Sequence, residues 1–366
     1  MRLVLLFLLM ALGVPGPAMA VKLVFVGDIM VHQDQLDSAR VGDTYDFNPQ
    51  FQFIAPFLSG DMVIGNFETV LRGRPPYTGY PAFNTPDSLA ETLRESGFTT
   101  LLLANNHIFD RGVQGAVRTR DVLQKKGFEV TGLFPPGEEA RPLLVERGGM
   151  RIGIVSGTYG TNAGLKGKQL QGVILYTLDE QRLAEDVHRL REEGADIIIG
   201  AFHWGNEYQT TPNAAQRKLA AVGFEQGIDL IVGTHPHVLQ PMERIDAGSK
   251  TQFVAWSLGN FISCQRTVPR ERSIVLSVEF EQSMLDRSWV LQSVRLLPIW
   301  VEKVRTPEGR YFITIHPALP ASFADAEGVR DEVLDEKLEQ INSEILSFFD
   351  IDGLPDAEGF YTVYER

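Results

Sequence analysis

The sequence predicts an α/β protein of two packed sheets with a C-terminal helix. From residue 22 to 234, apolar runs of strand length alternate with helical patterns. Four of those helical patterns end in glycine, at Gly97, Gly127, Gly194 and Gly227, and each is followed within two residues by a strand. After Thr251 the alternation stops, and strand-like runs follow one another with few helices between them. Alternating strands and helices build a mostly parallel sheet with covering helices, and glycine fits the left-handed position that closes a helix.

Lys22–Val26 is the first strand, with Gly27-Asp28 directly after it. Thr85-Pro86 reads as an N-cap followed by proline at the first helical position, opening a helix with Leu89 and Leu93 on one side. Thr99–Ala104 is a strand. Gly112–Gly127 is a helix with Val113, Ala116, Val117, Arg120 and Leu123 along one face. Gln181–Gly194 is a helix carrying Leu183, Val187 and Leu190, and Asp196–Phe202 is the strand after it. Asn213–Gly227 is a helix with Ala215, Leu219 and Val222 inward, followed by the strand Asp229–Gly233. Thr251–Leu258, Ser273–Glu281, Trp289–Val301 and Arg310–His316 are strands, which predicts a second sheet packed on the first. Across 331–349, Leu334, Leu338, Ile341, Ile345 and Phe348 lie on one helical face, above a mostly acidic one. That is the pattern of a packing helix.

Composition sets the outer bounds. At 366 residues, 44% hydrophobic and 22% charged, the chain is an ordinary globular one. Disorder, collagen and a disulfide scaffold are excluded as global descriptions, and one cysteine, Cys264, permits no intramolecular disulfide. A formal charge of −13 argues against nucleic acid as the partner, because such affinity comes from neutralising phosphates.

Residues 1–20 read as a secretory signal peptide. Arg2 supplies the positive start, Leu3–Leu12 is apolar but shorter than the roughly 20 residues that span a bilayer, and Ala18-Met19-Ala20 is a cleavage pattern after Pro15-Gly-Pro17. The expectation is an exported protein, periplasmic or extracellular, with the leader removed or retained as an anchor, and no transmembrane span after cleavage. Residues 21–320 are expected to form one domain, and 321–366 a helical extension packed on it.

The chemistry lies after the strands. Asp28 and His32 follow the first. Asn66 and Glu68 follow the apolar run that starts at Met62. Asn106, His107 and Asp110 follow the third. His203 and Glu207 follow Phe202, and His235 and His237 follow Gly233. Ligands of open α/β sheets bind outside the carboxyl ends of the strands, and five of the seven histidines belong to this set. Taken singly, each piece has an ordinary reading: Gly27-Asp28 a turn, Asn105-Asn106 a turn, a lone histidine a surface residue. His235-Pro-His237 is less ordinary, because a rigid proline holds two imidazoles two residues apart. Together the groups have the parts of a site for one or two divalent ions, with imidazole suiting Zn or Fe and carboxylate suiting Mn or a bridging role. His188 reads as solvated surface, His316 follows the last strand without a role, and Cys264 reads as structural.

Val26-Gly-Asp-Ile-Met30, Asp61–Thr69, Leu103-Ala-Asn-Asn-His107 with Asp110 and Gly112, His203–Tyr208, Gly233-Thr-His-Pro-His237 and Ser257-Leu-Gly-Asn-Phe261 together resemble the CapA/PgsA family. These are the poly-γ-glutamate capsule biosynthesis proteins of the calcineurin-like metallophosphoesterase superfamily. The resemblance runs from about residue 22 to 264. It implies a four-layer α/β/β/α sandwich with Asp28 as a first-metal ligand and Asn106 as a second-metal ligand. His107 becomes the general acid or transition-state donor, His203 and His235 further ligands, and His237 a ligand of the first metal. The wider superfamily carries Asp-x-His in its first motif, whereas here the histidine is His32, four residues on. Its bridging aspartate is replaced by Asn66 and Glu68, which makes Glu68 the expected bridge. The implied cofactor is one or two ions of Mn, Fe or Zn.

The loop Arg72-Gly-Arg74-Pro-Pro-Tyr77-Thr-Gly-Tyr80-Pro-Ala-Phe83 lies beside this set. By itself the loop reads either as an ordinary lid stiffened by proline and glycine with solvated arginines or as a substrate-binding segment. In the second reading Arg72 and Arg74, with Asn66 and Arg111, form the expected substrate-binding group, because guanidinium pairs bidentately with carboxylate. Lys166-Gly-Lys168 adds further positive charge. Three functions follow from the residues and the resemblance. The first is a metal-dependent hydrolase or transfer enzyme acting on an acidic polymer or cell-wall substrate, beside a membrane synthase complex. The second is a metallophosphoesterase. The third is a non-catalytic polymer-binding accessory factor.

Overall fold

The computed structural model describes residues 19–165, 170, 172–247, 250–265, 267–307, 309–324 and 332–366. Residues 1–18 of the expected leader and the Lys166–Lys168 segment lie outside the described residues. Two large sheets face each other. The first has nine strands. Its parallel half is β1 (Ala20–Ile29), β2 (Met62–Phe67), β3 (Thr100–Leu102) and β4 (Glu129–Thr131). The second has six strands: β5 (Leu143–Arg147), β6 (Met150–Thr158), β7 (Ile197–His203), β8 (Leu230–Thr234), β9 (Leu239–Ala247) and β10 (Lys250–Leu258). Within it β6, β7, β8 and β10 run parallel, and β5 and β9 close the two edges antiparallel.

The strands after residue 260 return to the first sheet. β11 (Asn260–Ile262) pairs parallel to β1. β12 (Arg272–Gln282) lies antiparallel along the same edge of β1, opposite β2, followed outward by β13 (Trp289–Arg305) and β14 (Tyr311–Pro317). β15 (Tyr361–Glu365), which the sequence pattern left unassigned, also pairs with β13. Two packed sheets are therefore correct, but the second is made by the middle of the chain and not by its end. A strand's own residues carry its period and burial, not the identity of its neighbour.

Alternation along the strands sorts the layers. Ile197, Ile199 and Ala201 of β7, Leu230 and Val232 of β8, and Phe253 and Ala255 of β10 belong to the large core shared with β1 and β12. Their alternates Ile198, Phe202, Ile231, Val254 and Trp256 form a second core. Leu183, Val187 and Leu190 of α4 (Glu180–Glu192) and Leu219 and Ala220 of α5 (Ala214–Gln226) cover that face. Successive side chains of a strand point to opposite faces, so both faces of β7, β8 and β10 are buried and their sequences read as continuous apolar runs. The first sheet has its own helices: α1 (Gln33–Ala39) against β14, α2 (Ser88–Glu95), α3 (Gly112–Lys125) beside β4, and α6 (Glu332–Phe349) against β13. The order is helix, sheet, sheet, helix.

Several local expectations shift. All four helix-closing glycines take positive φ. α5 opens as expected: the Asn213 side chain accepts from Gln216 N–H at 2.9 Å. α2, however, begins at Ser88 and not after Thr85. The Thr85 hydroxyl pairs with that of Thr69 at 2.6 Å, and Pro86 and Asp87 form a turn before the helix, which puts its cap at Asp87. In α6 the buried set is Leu338, Ile341, Asn342, Ile345 and Leu346, while Phe348 is exposed. Spacings of 4, 3, 4 and 3 average 3.5 residues, and a straight helix of 3.6 drifts off that line. Asn342 is satisfied there, donating to Ala318 O (2.6 Å) and Tyr361 Oη (2.9 Å). His316 lies inside β14, buried, with Nε2 2.9 Å from Glu302 Oε2 and its ring stacked on Phe53. His188 is exposed as expected, 3.2 Å from Glu192.

β1 continues through Gly27-Asp28 where the sequence suggested a turn. A side chain at Gly27 would place its Cβ 1.9 Å from the Gly259 carbonyl oxygen. Both atoms belong to backbone at the join of β1 and β11, where Asp28 N–H donates to Gly259 O at 3.0 Å, so neither can swing aside. Gly27→Ala is expected to cost about 3 kcal/mol or more, read as a drop in urea midpoint. A midpoint within error of wild type would refute this close-approach role.

Candidate metal centre

The parallel register gathers the polar residues. Asp28 pairs with Asn66 of β2 on one side and with Asn260 of β11 on the other. His203, at the end of β7, pairs with Thr234 of β8, directly before the His235-Pro-His237 turn. The carboxyl ends of the two sheets meet there, and Asp28, Asn66, Glu68, Asn106, His107, His203, His235, His237 and Asn260 are all buried.

Three groups bring ligand atoms within 4.8 Å of one another: Asp28, Glu68 and His237; Glu68, His203 and His235; and Glu207, His235 and His237. Glu68 belongs to the first two, which is the geometry expected of a carboxylate shared by two ions. His237 Nδ1 lies 3.0 Å from both Asp28 Oδ2 and Asn260 Oδ1. Both are acceptors, so the ring proton sits on Nδ1 and Nε2 keeps its lone pair, 3.9 Å from Glu68 Oε1. His203 Nε2 lies 2.9 Å from Asn106 Oδ1 and 3.7 Å from Glu68 Oε1. Asn66 Nδ2 donates to Asp28 Oδ1 at 2.7 Å and to Glu68 Oε2 at 3.3 Å.

Burial tunes these groups in a common direction. Burial opposes ionisation of Asp28, but the hydrogen bond from His237, with that from Asn66, overcomes it and holds the carboxyl well below the usual carboxylate range. Burial, then the neighbouring His237, pushes His235 down to about 4. His203 is also held well below its ordinary value, by burial and then His235. Neutral imidazole is the form that binds metal. Burial, reinforced by the charge of Asp28, pushes Glu68 well up. Two buried atoms, Glu68 Oε1 and His235 Nδ1, have no hydrogen-bond partner among the described residues. Such orphans are costly, and a divalent ion would satisfy both. The donor set therefore fits the implied metal.

The backbone supports this placement. His235 (φ 95°) and His237 (φ 57°) both lie in the left-handed region, as does Tyr208 (φ 66°). Each such non-glycine residue costs about 1–3 kcal/mol and persists where surrounding contacts enforce it. Here His235 N–H donates to Asp28 Oδ2 (3.2 Å), Tyr208 N–H to Pro236 O (2.7 Å) and Asn260 Nδ2 to His237 O (3.2 Å).

Beside the ligand groups stands a histidine–carboxylate pair. His107 Nδ1 is 2.8 Å from Asp110 Oδ2. The carboxylate accepts, so Nε2 faces outward, toward the Asn162 amide at 3.3 Å. Asn162 Oδ1 also accepts from Asn106 Nδ2 at 3.5 Å. Asp110 Oδ2 accepts from Phe83 N–H as well (2.8 Å), and the buried Phe83 ring meets His107 edge-on at 4.7 Å. The 72–84 loop is thus folded onto His107. Arg111, expected on the substrate side, is engaged within this loop, donating to Phe83 O, Ala82 O and Thr78 Oγ1. Arg72 is half-buried near Arg111, and Arg74 is exposed. His32 is outside the three ligand groups. Its Nδ1 accepts from Cys264 N–H at 3.3 Å and its ring edges onto Phe83. A cleft of about 810 Å³ is bounded by Tyr159, Trp204, Asn206 and Gln216, with Asp179 and Glu180 in its wall, and touches the centre only through Tyr159, whose ring stands 4.4 Å from that of His235.

Residues 22–265 match the model of the family described as bacterial capsule synthesis protein PGA_cap. The chain belongs to that family. The PGA biosynthesis protein CapA of Bacillus subtilis (strain 168) is 30% identical over 246 residues, which is 65% of this chain and 62% of the relative. The capsule biosynthesis protein CapA of Bacillus anthracis is 27% identical over 248 residues, 65% of this chain and 58% of the relative. The chain thus spans about three fifths of the length of the curated relatives it matches. Among solved structures, a putative 5′-nucleotidase from Staphylococcus aureus is similar at TM-score 0.47 and 15% identity over 88% of this chain and 58% of that one. The calcineurin-like phosphoesterase YfkN from Bacillus subtilis is similar at TM-score 0.43 and 14% identity over 91% and 99%.

All eleven candidate ligand and proton-transfer positions of this PGA_cap member, from Asp28 to His237, fall inside the matched span. Sequence reading assigned no role to Asn260, although it lies in the quoted Ser257–Phe261 segment. It also passed over Tyr159 and Asn162, which follow β6, a further strand end. Tyr159 sits 4.4 Å from the His235 ring.

Proposed function

We propose that this family member is an exported, metal-dependent protein that cleaves or transfers an amide-linked acidic cell-surface polymer, poly-γ-glutamate or a chain of similar chemistry, beside a membrane-bound synthase. One observation carries the metal-dependent part: Glu68 stands in two ligand groups at once, with its Oε1 unpartnered among the described residues. The polymer class is supported by the names of the CapA relatives. No helix among the described residues is long and apolar enough to cross a membrane.

Asp28, Glu68 and His237 would hold one ion, and Glu68, His203, His235 and Asn106 the other. Bound there, divalent ions supply a water that ionises near neutral pH and a Lewis acid for a carbonyl oxygen. The chain's own residues do the rest. Asn66 and Asn260 fix the orientations of Asp28, Glu68 and His237. His107 gives the proton on Nε2 to the departing amine, so that the amide nitrogen leaves neutral. Asp110 holds the Nδ1 proton and stabilises the imidazolium that precedes the transfer. Phe83 shields one face of the ring from water, and the cleft past Tyr159 has room for a polymer segment.

The test is metal content and turnover together. Protein purified without chelator and reconstituted is expected to hold about two equivalents of Mn, Fe or Zn. It should release new amino ends from poly-γ-glutamate, and chelator should abolish that release. Failure to take up metal overturns the metal-dependent reading. Turnover of bis(p-nitrophenyl) phosphate without any action on the polymer overturns the amide reading in favour of phosphoester chemistry.

A further inference from the structure

Arg270 lies five residues beyond the family-matched span and against the metal centre. Its Cζ stands 3.5 Å from the centroid of the Tyr208 ring. That ring is 6.2 Å from the ring of His237, and the Tyr208 backbone is fastened to Pro236 between the two histidines. Asn260 ties the arrangement together: its amide donates to His237 O and to Arg270 O, while its carbonyl faces His237 Nδ1. One buried side chain thus sets both a candidate ligand and the root of Arg270.

Stacking occupies the flat face of a guanidinium and leaves its edge donors available. Arg118, Arg182, Arg191 and Arg295 each pair with an aspartate, whereas Arg270 has no ion pair among the described residues. The nearest carboxylate in sequence to its aromatic partner, Glu207, is grouped with His235 and His237. An oriented, half-buried cation at the mouth of the site is notable in a chain of net charge −13. The bulk of such a protein repels an acidic polymer, so local positive charge decides where that polymer docks.

We propose that Arg270, held flat against Tyr208 and positioned through Asn260, anchors a carboxylate side group of the substrate beside the metal centre and so selects for acidic chains. The proposal rests on the amide-polymer reading above.

The test is direct binding of a fluorescent γ-linked glutamate oligomer to the full chain, with bis(p-nitrophenyl) phosphate as a competing anion. Arg270→Ala is expected to weaken oligomer binding about tenfold or more, and Arg270→Lys, which keeps charge but loses the planar fork, about threefold. Metal content and thermal midpoint, unchanged in both variants, separate this from misfolding, and the lysine variant decides the matter if the alanine variant does not fold. Equal oligomer affinity in wild type and variants overturns the proposal. If wild type binds the phosphodiester and not the oligomer, the amide-polymer reading fails; loss of phosphodiester binding in Arg270→Ala then still identifies an anion anchor, and its retention refutes one. Wild-type protein that binds neither overturns both.

Discussion

Glu68→Gln is expected to split the behaviour of the protein according to metal. In the metal-free form the carboxylate is a liability. It is fully buried, its Oε1 has no hydrogen-bond partner among the described residues, and Asp28 repels it. A neutral amide of the same shape removes that repulsion, so metal-free Glu68→Gln should be as stable as wild type or more stable, by about 1–3 kcal/mol. With metal the sign reverses. Loss of an outer partner of a ligand typically costs about 10–100-fold in affinity, and a ligand common to two groups should cost at least that for both ions. Equilibrium dialysis with elemental analysis reads the affinity, and melting with and without added metal reads the crossover. A variant that binds two equivalents as tightly as wild type would sink the shared-ligand assignment.

His107→Ala is expected to leave metal content intact and remove turnover. His107 is absent from all three ligand groups, so its loss should not release ions. Its Nε2 is the group free to move a proton, because Nδ1 is committed to Asp110. General acid catalysis by a positioned side chain contributes about 10²–10⁴-fold, and the rate should fall by that much on polymers with a poor amine leaving group. An amine that leaves easily should suffer far less, which distinguishes a lost proton donor from a damaged site. Asp110→Asn should give an intermediate loss, since its amide oxygen can take the place of Oδ2 and keep the bonds to His107 Nδ1 and Phe83 N–H, while the negative charge that stabilises the imidazolium is gone. Undiminished turnover in His107→Ala would remove it from the mechanism and favour an accessory, polymer-binding role.

Much of the fold is readable because it is local. A run such as Ile197–Phe202 is apolar at every position because both faces are covered, and that much is written in consecutive residues. The helices ending at Gly97, Gly127, Gly194 and Gly227 are equally plain, since a left-handed closing residue depends on its own backbone. The candidate site residues were legible for the same reason: Asp28, His203 and His235 stand at the carboxyl ends of strands, although those strands belong to two different sheets. Where local signals competed, the reading slipped. Thr85 has the chemistry of a cap, but the chain makes a turn at Pro86 and Asp87 before the helix begins. Phe348 has the right spacing on paper, but helical drift turns it to solvent.

The helices closed by glycine, the strands that alternate with them and the candidates for binding metal or moving protons are readable from the chain alone, because propensity and periodicity act between near neighbours; β5, β6 and β9 are not. Sheet membership after residue 260 does not, because β12 joins β1 through contacts some 250 residues apart in sequence, and such pairing is settled by which apolar faces close the core between the sheets. The same holds at the centre. Nothing in the residues around Glu68 says that it reaches both His237 and His203, that Arg111 braces a loop, or that Asn260 links His237 to Arg270. Those relations arise only when two sheets bring their carboxyl ends together, and the cost of burying so many polar atoms leaves each with one arrangement that satisfies it.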